Sequence, residues 1–123
     1  MSISLYKIKK WINMLRGKSV HHVNQNEGKI YSTSEIKGYY NNLTEKVSRF
    51  GKEGIDVPKS YVDTGEEIFF SIEIFQYGLG AYDLFLLDKD EKMRSKMLAC
   101  AEWAVDNQNS DGSWETFIRE IPE

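Results

Sequence analysis

Tyr39, Tyr40 and Tyr61 fall in a glycine-punctuated stretch that also carries Lys46 and Arg49. Exposed aromatics with basic partners suit sugar or anion binding, because a ring can cover an apolar face while a cation pairs with a carboxylate. The same tyrosines can instead fill a small core with their hydroxyls in water, and spacing alone leaves both readings open. A second polar set lies inside an otherwise apolar run. Glu73, Gln76, Gly80 and Asp83 recur at three and four residues, which places them on one narrow line of a helix.

Other reactive residue types point to little chemistry. His21 and His22 are adjacent and lack a convincing ligand set, so no metal is expected. Cys100 is the single cysteine, which excludes an intrachain disulfide. Its neighbours are apolar, and it reads as a buried thiol. Asn42-Leu43-Thr44 matches a glycosylation sequon, which carries no weight in a chain without a secretion signal. No cofactor is expected.

The elements that position these residues follow from periodicity and composition. The chain has 123 residues, 41% hydrophobic and 28% charged, which suits one small domain. Leu5, Ile8, Ile12 and Leu15 form the apolar stripe of a first helix within residues 1–17, with Trp11 beside it. Ser4 is its expected N-cap and Gly17 its expected stop. Lys7, Lys9, Lys10, Arg16 and Lys18 make this start basic, and no acidic residue precedes Glu27. A basic amphipathic start can lie on a membrane surface or meet an acidic ligand; the plain alternative is a solvated helix face. The overall formal charge is −3, so nothing global points to nucleic acid.

No apolar run is long enough to cross a membrane, and the interleaved charges of the start do not make a signal peptide. The expectation is a cytoplasmic protein. Residues 18–65 read as irregular or weakly stranded, punctuated by Gly28, Gly38, Gly51, Gly54, Pro58 and Gly65. Such a stretch suits a functional loop region or one packed against something larger.

A long helix is expected over about residues 66 to 87. One stripe runs through Ile68, Ile72, Phe75, Leu79, Tyr82 and Leu86, and another through Phe70, Ile74, Tyr77, Ala81 and Leu84. A helix apolar on nearly all sides is a buried one. Gly78 and Gly80 each cost about 1 kcal/mol relative to alanine there, so close packing or an approaching ligand should offset them. Asp88 to Glu91 makes a turn and reads as a capping box. A second helix follows, with Met93, Met97, Cys100, Ala101 and Ala104 on one side, ending near Asn107. The two form an αα-hairpin over residues 66–114. In "QNSDGSW", Gln108 to Trp114, the Asp111-Gly112 turn brings Trp114 back to cover a helix end, a structural staple.

The spacing in "QxxDGSW" resembles a repeat of α/α toroids, in which helical hairpins form a ring around a cleft. A longer stretch carries a more specific resemblance. "IFFSIEIFQYGLGAYDLFLL", Ile68 to Leu87, is similar to a segment of the D-glucuronyl C5-epimerase family, the heparosan glucuronate epimerases. Gln76, Tyr77, Gly78, Leu79 and Tyr82 match the family's Gln-Tyr-Gly-Leu-x-x-Tyr. "GYYNNLTEKV", Gly38 to Val47, resembles its Gly-Tyr-Asn segment, and "SVHHVNQ", Ser19 to Gln25, resembles bacterial members. The resemblance covers about residues 3 to 115.

The resemblance implies a mainly α fold: one or more hairpins of an incomplete α/α toroid, preceded by the irregular segment, together one partial domain. It implies action on glucuronate within an acidic, uronate-containing polysaccharide, giving iduronate. A base removes the C5 proton and an acid returns one from the opposite face, with donors stabilising the carbanion beside the carboxylate. The family uses tyrosines and a glutamate from later helices, without a redox cofactor. No catalytic residue is therefore expected in these 123 residues, nor turnover from them alone; Ile121-Pro122-Glu123 reads as a chain cut within a loop.

By position, Tyr39, Lys46, Phe70, Glu73 and Gln76 fall where the family touches its substrate. The departures are specific. Thr44 stands where the family often has arginine, Phe70 where it has tyrosine and Ser71 where it has proline. Glu73 replaces a glutamine and brings a negative charge toward an acidic sugar. The calcium site of the animal enzymes has no counterpart. The alternative to an epimerase-like protein is a non-catalytic sugar-binding or protein-interaction module, whose exposed helix faces would favour a partner or self-association.

Overall fold

The computed structural model describes residues 4–18, 26–49, 57–62 and 64–119. The fold is mainly helical, with α1 (Leu5–Leu15), α2 (Thr44–Arg49), α3 (Ser71–Asp88) and α4 (Glu91–Asp106). Three short strands, β1 (Ser60–Tyr61), β2 (Glu67–Phe70) and β3 (Phe117–Ile118), form one antiparallel sheet with β2 in the centre. His21, His22 and the Ser19 to Gln25 segment lie outside the described residues, as do Gly51, Gly54 and Ile121 to Glu123.

The core forms where α3 packs against α4 and α2. Ile74, Tyr77 and Ala81 of α3 meet Met93 and Cys100 of α4 and Val47 of α2, and all six are buried. Gly78 permits the α3–α4 approach: a Cβ there would lie 2.9 Å from Cβ of Cys100. Cys100 is thus a buried thiol at a helix crossing. The turn between the helices is made by Lys89, which adopts the left-handed region at φ 56° and donates its N–H to the Phe85 carbonyl. The cap of α4 is Asp90, whose side chain accepts the N–H of Lys92 at 2.9 Å. Asp88 is the last residue of α3, so the box expected over Asp88 to Glu91 gives way to a single Asp90 cap.

The segment after α4 folds back. Asp111 accepts from both the N–H and the hydroxyl of Ser113, and Gly112 turns the chain at φ 88°. Trp114 then donates its indole N–H to the Ala104 carbonyl at 2.7 Å and sets its ring edge-on to Phe75 at 5.1 Å. One residue thereby ties the end of α4 to α3.

Several expectations require correction. The helix expected from residue 66 begins at Ser71, because Glu67–Phe70 is a strand paired on both sides. The apolar and aromatic run Ile68-Phe69-Phe70 suits a pleated central strand as well as a helix. α3 is not covered on nearly all sides either: Ile72 is 52% exposed, whereas the stripe through Ile74, Tyr77 and Ala81 is buried. On α4, Lys96 is buried and Ala101 is exposed, so the covered face is rotated from the expected one. The segment 18–65 is not wholly irregular, since it contains α2. Asn42 starts that helix by accepting from the N–H and hydroxyl of Thr44 at 3.1 and 2.6 Å. The apparent sequon residues thus make a local turn.

α1 forms as expected. Ser4 accepts from the Lys7 N–H at 3.3 Å, and Gly17 follows the helix at φ 68°. None of its residues is buried.

Candidate functional site

The polar line of α3 is a packing seam. The chain from Tyr39 to Val47 runs over it in the opposite direction. At one end, the Tyr39 backbone N–H donates to Oδ1 of Asp83 at 3.2 Å. In the middle, Gly80 lies so close to the Leu43 carbonyl that no Cβ could be added without moving it. At the other end, Nζ of Lys46 bonds Oε2 of Glu73 at 3.2 Å. The helical spacing of Glu73, Gly80 and Asp83 thus serves the docking of α2 and the strand-like segment before it.

Four of the five expected contact residues line or border this seam. Lys46 and Glu73 form a partly covered pair, their side chains 14% and 16% exposed. Gln76 follows Glu73 by one helical turn and is half-buried. Among the described residues its side-chain amide has no hydrogen-bond partner. Tyr39 remains 38% exposed and reaches the seam through its backbone. Phe70 precedes α3 and stacks obliquely on Phe117 of β3 at 5.2 Å. It belongs to the sheet side and begins the helix without a side-chain cap.

The tyrosines do not fill the core. Tyr39, Tyr40 and Tyr61 are all exposed, and Tyr40 meets only the edge of Tyr31, 5.2 Å away, among described rings. Arg49, at the end of α2, is exposed.

Spacing places Asp83 on the polar line of α3, and the structure gives it a partner. It is 2% exposed, and burial raises its pKa above the usual 3.8, while the Tyr39 N–H acts in the opposite direction. Nothing local in the sequence marks that partner, which lies 44 residues away.

The geometry separates the two ends of the seam. Glu73 and Asp83 are ten residues apart on α3, about 15 Å along the axis. Inversion at one carbon needs an acid and a base within hydrogen-bond reach of that carbon. A carboxylate at one end and a tyrosine anchored at the other suit an extended ligand better than one reacting centre. Among the described residues, no group of three His, Cys, Asp or Glu side chains could hold a metal, and no helix is long and apolar enough to cross a membrane.

Comparison with protein-family models, curated proteins and solved structures finds no match.

Proposed function

We propose that the α2–α3 seam binds a uronate-bearing polysaccharide, in a protein built on the plan of the glucuronyl C5-epimerases. The observation that carries this reading is the part-covered Lys46–Glu73 pair with Gln76 one helical turn along α3, its amide without a hydrogen-bond partner among the described residues. Lysine has three donors, and Glu73 engages one, so the ammonium can also meet a sugar carboxylate. Gln76 can both donate to and accept from ring hydroxyls. The exposed ring of Tyr39 extends the surface at the far end.

These residues bind and orient; they do not invert C5. Their spread along the helix supports that division of labour. The toroid plan draws support from the α3–α4 hairpin, from the Trp114 staple and from Ile72, whose exposed side chain offers a place for a neighbouring helix. The cytoplasmic location belongs to the same proposal.

Isothermal titration with heparosan, a glucuronate polymer, tests this reading against dextran, a neutral one. Heparosan is expected to bind and dextran not to, and Gln76→Ala should weaken heparosan binding at least about tenfold. No solvent deuterium should enter C5 in heavy water. Equal binding of both polymers, or wild-type affinity in Gln76→Ala, would remove the seam as a uronate site. Deuterium at C5 would show that these residues do more than bind.

A further inference from the structure

We propose that α1 is an interfacial helix that lays one apolar face onto an anionic lipid surface. The inference is independent of the seam. Viewed down the axis at 100° per residue, Leu5, Ile8, Trp11, Ile12 and Leu15 occupy one arc of roughly 120°. Among the described residues, that face takes no part in the core. Leu5 and Leu15 are 84% and 89% exposed, and Ile8, Trp11 and Ile12 are exposed as well. Lys7, Lys10 and Asn13, on the polar side, are covered more than the apolar residues are. Folding has therefore left the apolar side outward, an arrangement that costs free energy in water unless something covers it.

The charges identify the occupant. Lys7 and Lys9 border the apolar arc, one on each side, and the exposed Lys9 can lay its aliphatic stem along lipid while its ammonium reaches the headgroups. Lys10, Arg16 and Lys18 add to them, and no acidic residue occurs before Glu27. The whole chain is nevertheless negative, at −3, so the positive charge is concentrated at this end. An anionic surface attracts the α1 end and repels the remainder, which fixes one orientation. Trp11 lies at the edge of the arc, where an indole can sit at headgroup depth. The helix is 11 residues long, about 16 Å, too short to span a bilayer core of about 30 Å, so it lies in the plane of the surface.

Vesicle flotation tests the proposal with phosphatidylcholine alone and with phosphatidylcholine:phosphatidylglycerol at a ratio of about 3:1. The full chain is expected to float with the anionic vesicles, to stay down with the neutral ones, and to detach at high salt. Ile12→Asp puts a charge inside the apolar arc and should abolish flotation. The double variant Lys9→Glu/Lys10→Glu leaves the arc intact and should lower partitioning at least about tenfold. Circular dichroism accompanies both variants. α1 contributes nothing to the core, so their unfolding transitions should match the parent's. Flotation unchanged in the charge-reversed variant, equal flotation with neutral vesicles, or none with either would overturn the proposal. So would lipid-free sedimentation showing a dimer that Ile12→Asp converts to monomer, because a second copy would then be the occupant.

Discussion

Asp83 shows how one side chain can join two distant segments while remaining sensitive to pH. Its folded pKa is raised, chiefly by burial, so the folded state holds the proton more tightly than the unfolded state does. Stability linked to this group is therefore greatest at low pH. It declines as pH rises from about 3.8 through the raised value, and above that the full penalty of the buried charge is present. Asp83→Asn should flatten this decline in denaturant unfolding followed from pH 4 to 8. Asp83→Ala removes the acceptor of the Tyr39 N–H and should cost about 1–3 kcal/mol. At the other end of the seam, Glu73 competes with any carboxylate for Lys46. Glu73→Gln should raise affinity for heparosan about fivefold at low salt, equivalent to the ~1 kcal/mol of a partly exposed ion pair. Lys46→Met should lower it, and titration calorimetry reads both.

At the scale of elements, the two helix glycines separate propensity from packing. Alanine gains about 1 kcal/mol over glycine in an open helix. Here a Cβ at Gly80 would meet the Leu43 carbonyl, which also accepts the N–H of Lys46 at 3.0 Å, so it cannot yield without breaking the start of α2. Gly80→Ala should destabilise by about 1–3 kcal/mol in chemical denaturation. Gly78→Ala should also destabilise, because its obstacle is the Cβ of Cys100, which is fixed to the α4 backbone and yields only if that helix moves away. Trp114→Phe keeps a ring against Phe75 but loses the bond to Ala104, and should lower stability by about 1 kcal/mol, or about 4 °C in thermal unfolding.

The same elements mark what was legible beforehand. The stripe of α1, the α3–α4 hairpin and the turn before Trp114 follow from periodicity and local turn chemistry. The strand β2 was hidden, because Ile68, Phe69 and Phe70 satisfy a helical and a pleated pattern alike. α2 was hidden because its six residues bury only Val47, too little for a period to register. Within the site, the residue types were legible but their pairing was not. Lys46 and Glu73 are 27 residues apart, and Gly80 and Asp83 acquire their roles only when Leu43 and Tyr39 arrive from another segment.

For the whole molecule, the structure divides the labour between places. The α3–α4 hairpin with α2 supplies the core and presents the seam, and the small sheet secures the start of α3 and the segment after Trp114. α1 contributes no buried residue and offers an apolar, cation-flanked face of its own. Polysaccharide binding at the seam is the claim on which the functional reading rests. An amide-detected NMR titration with a heparosan oligosaccharide tests it most directly. Binding at the seam predicts shifts confined to residues 39–47 and 70–83, with the Gln76 side-chain amide among the largest. No shifts at saturating oligosaccharide, or shifts centred on another face, would contradict it.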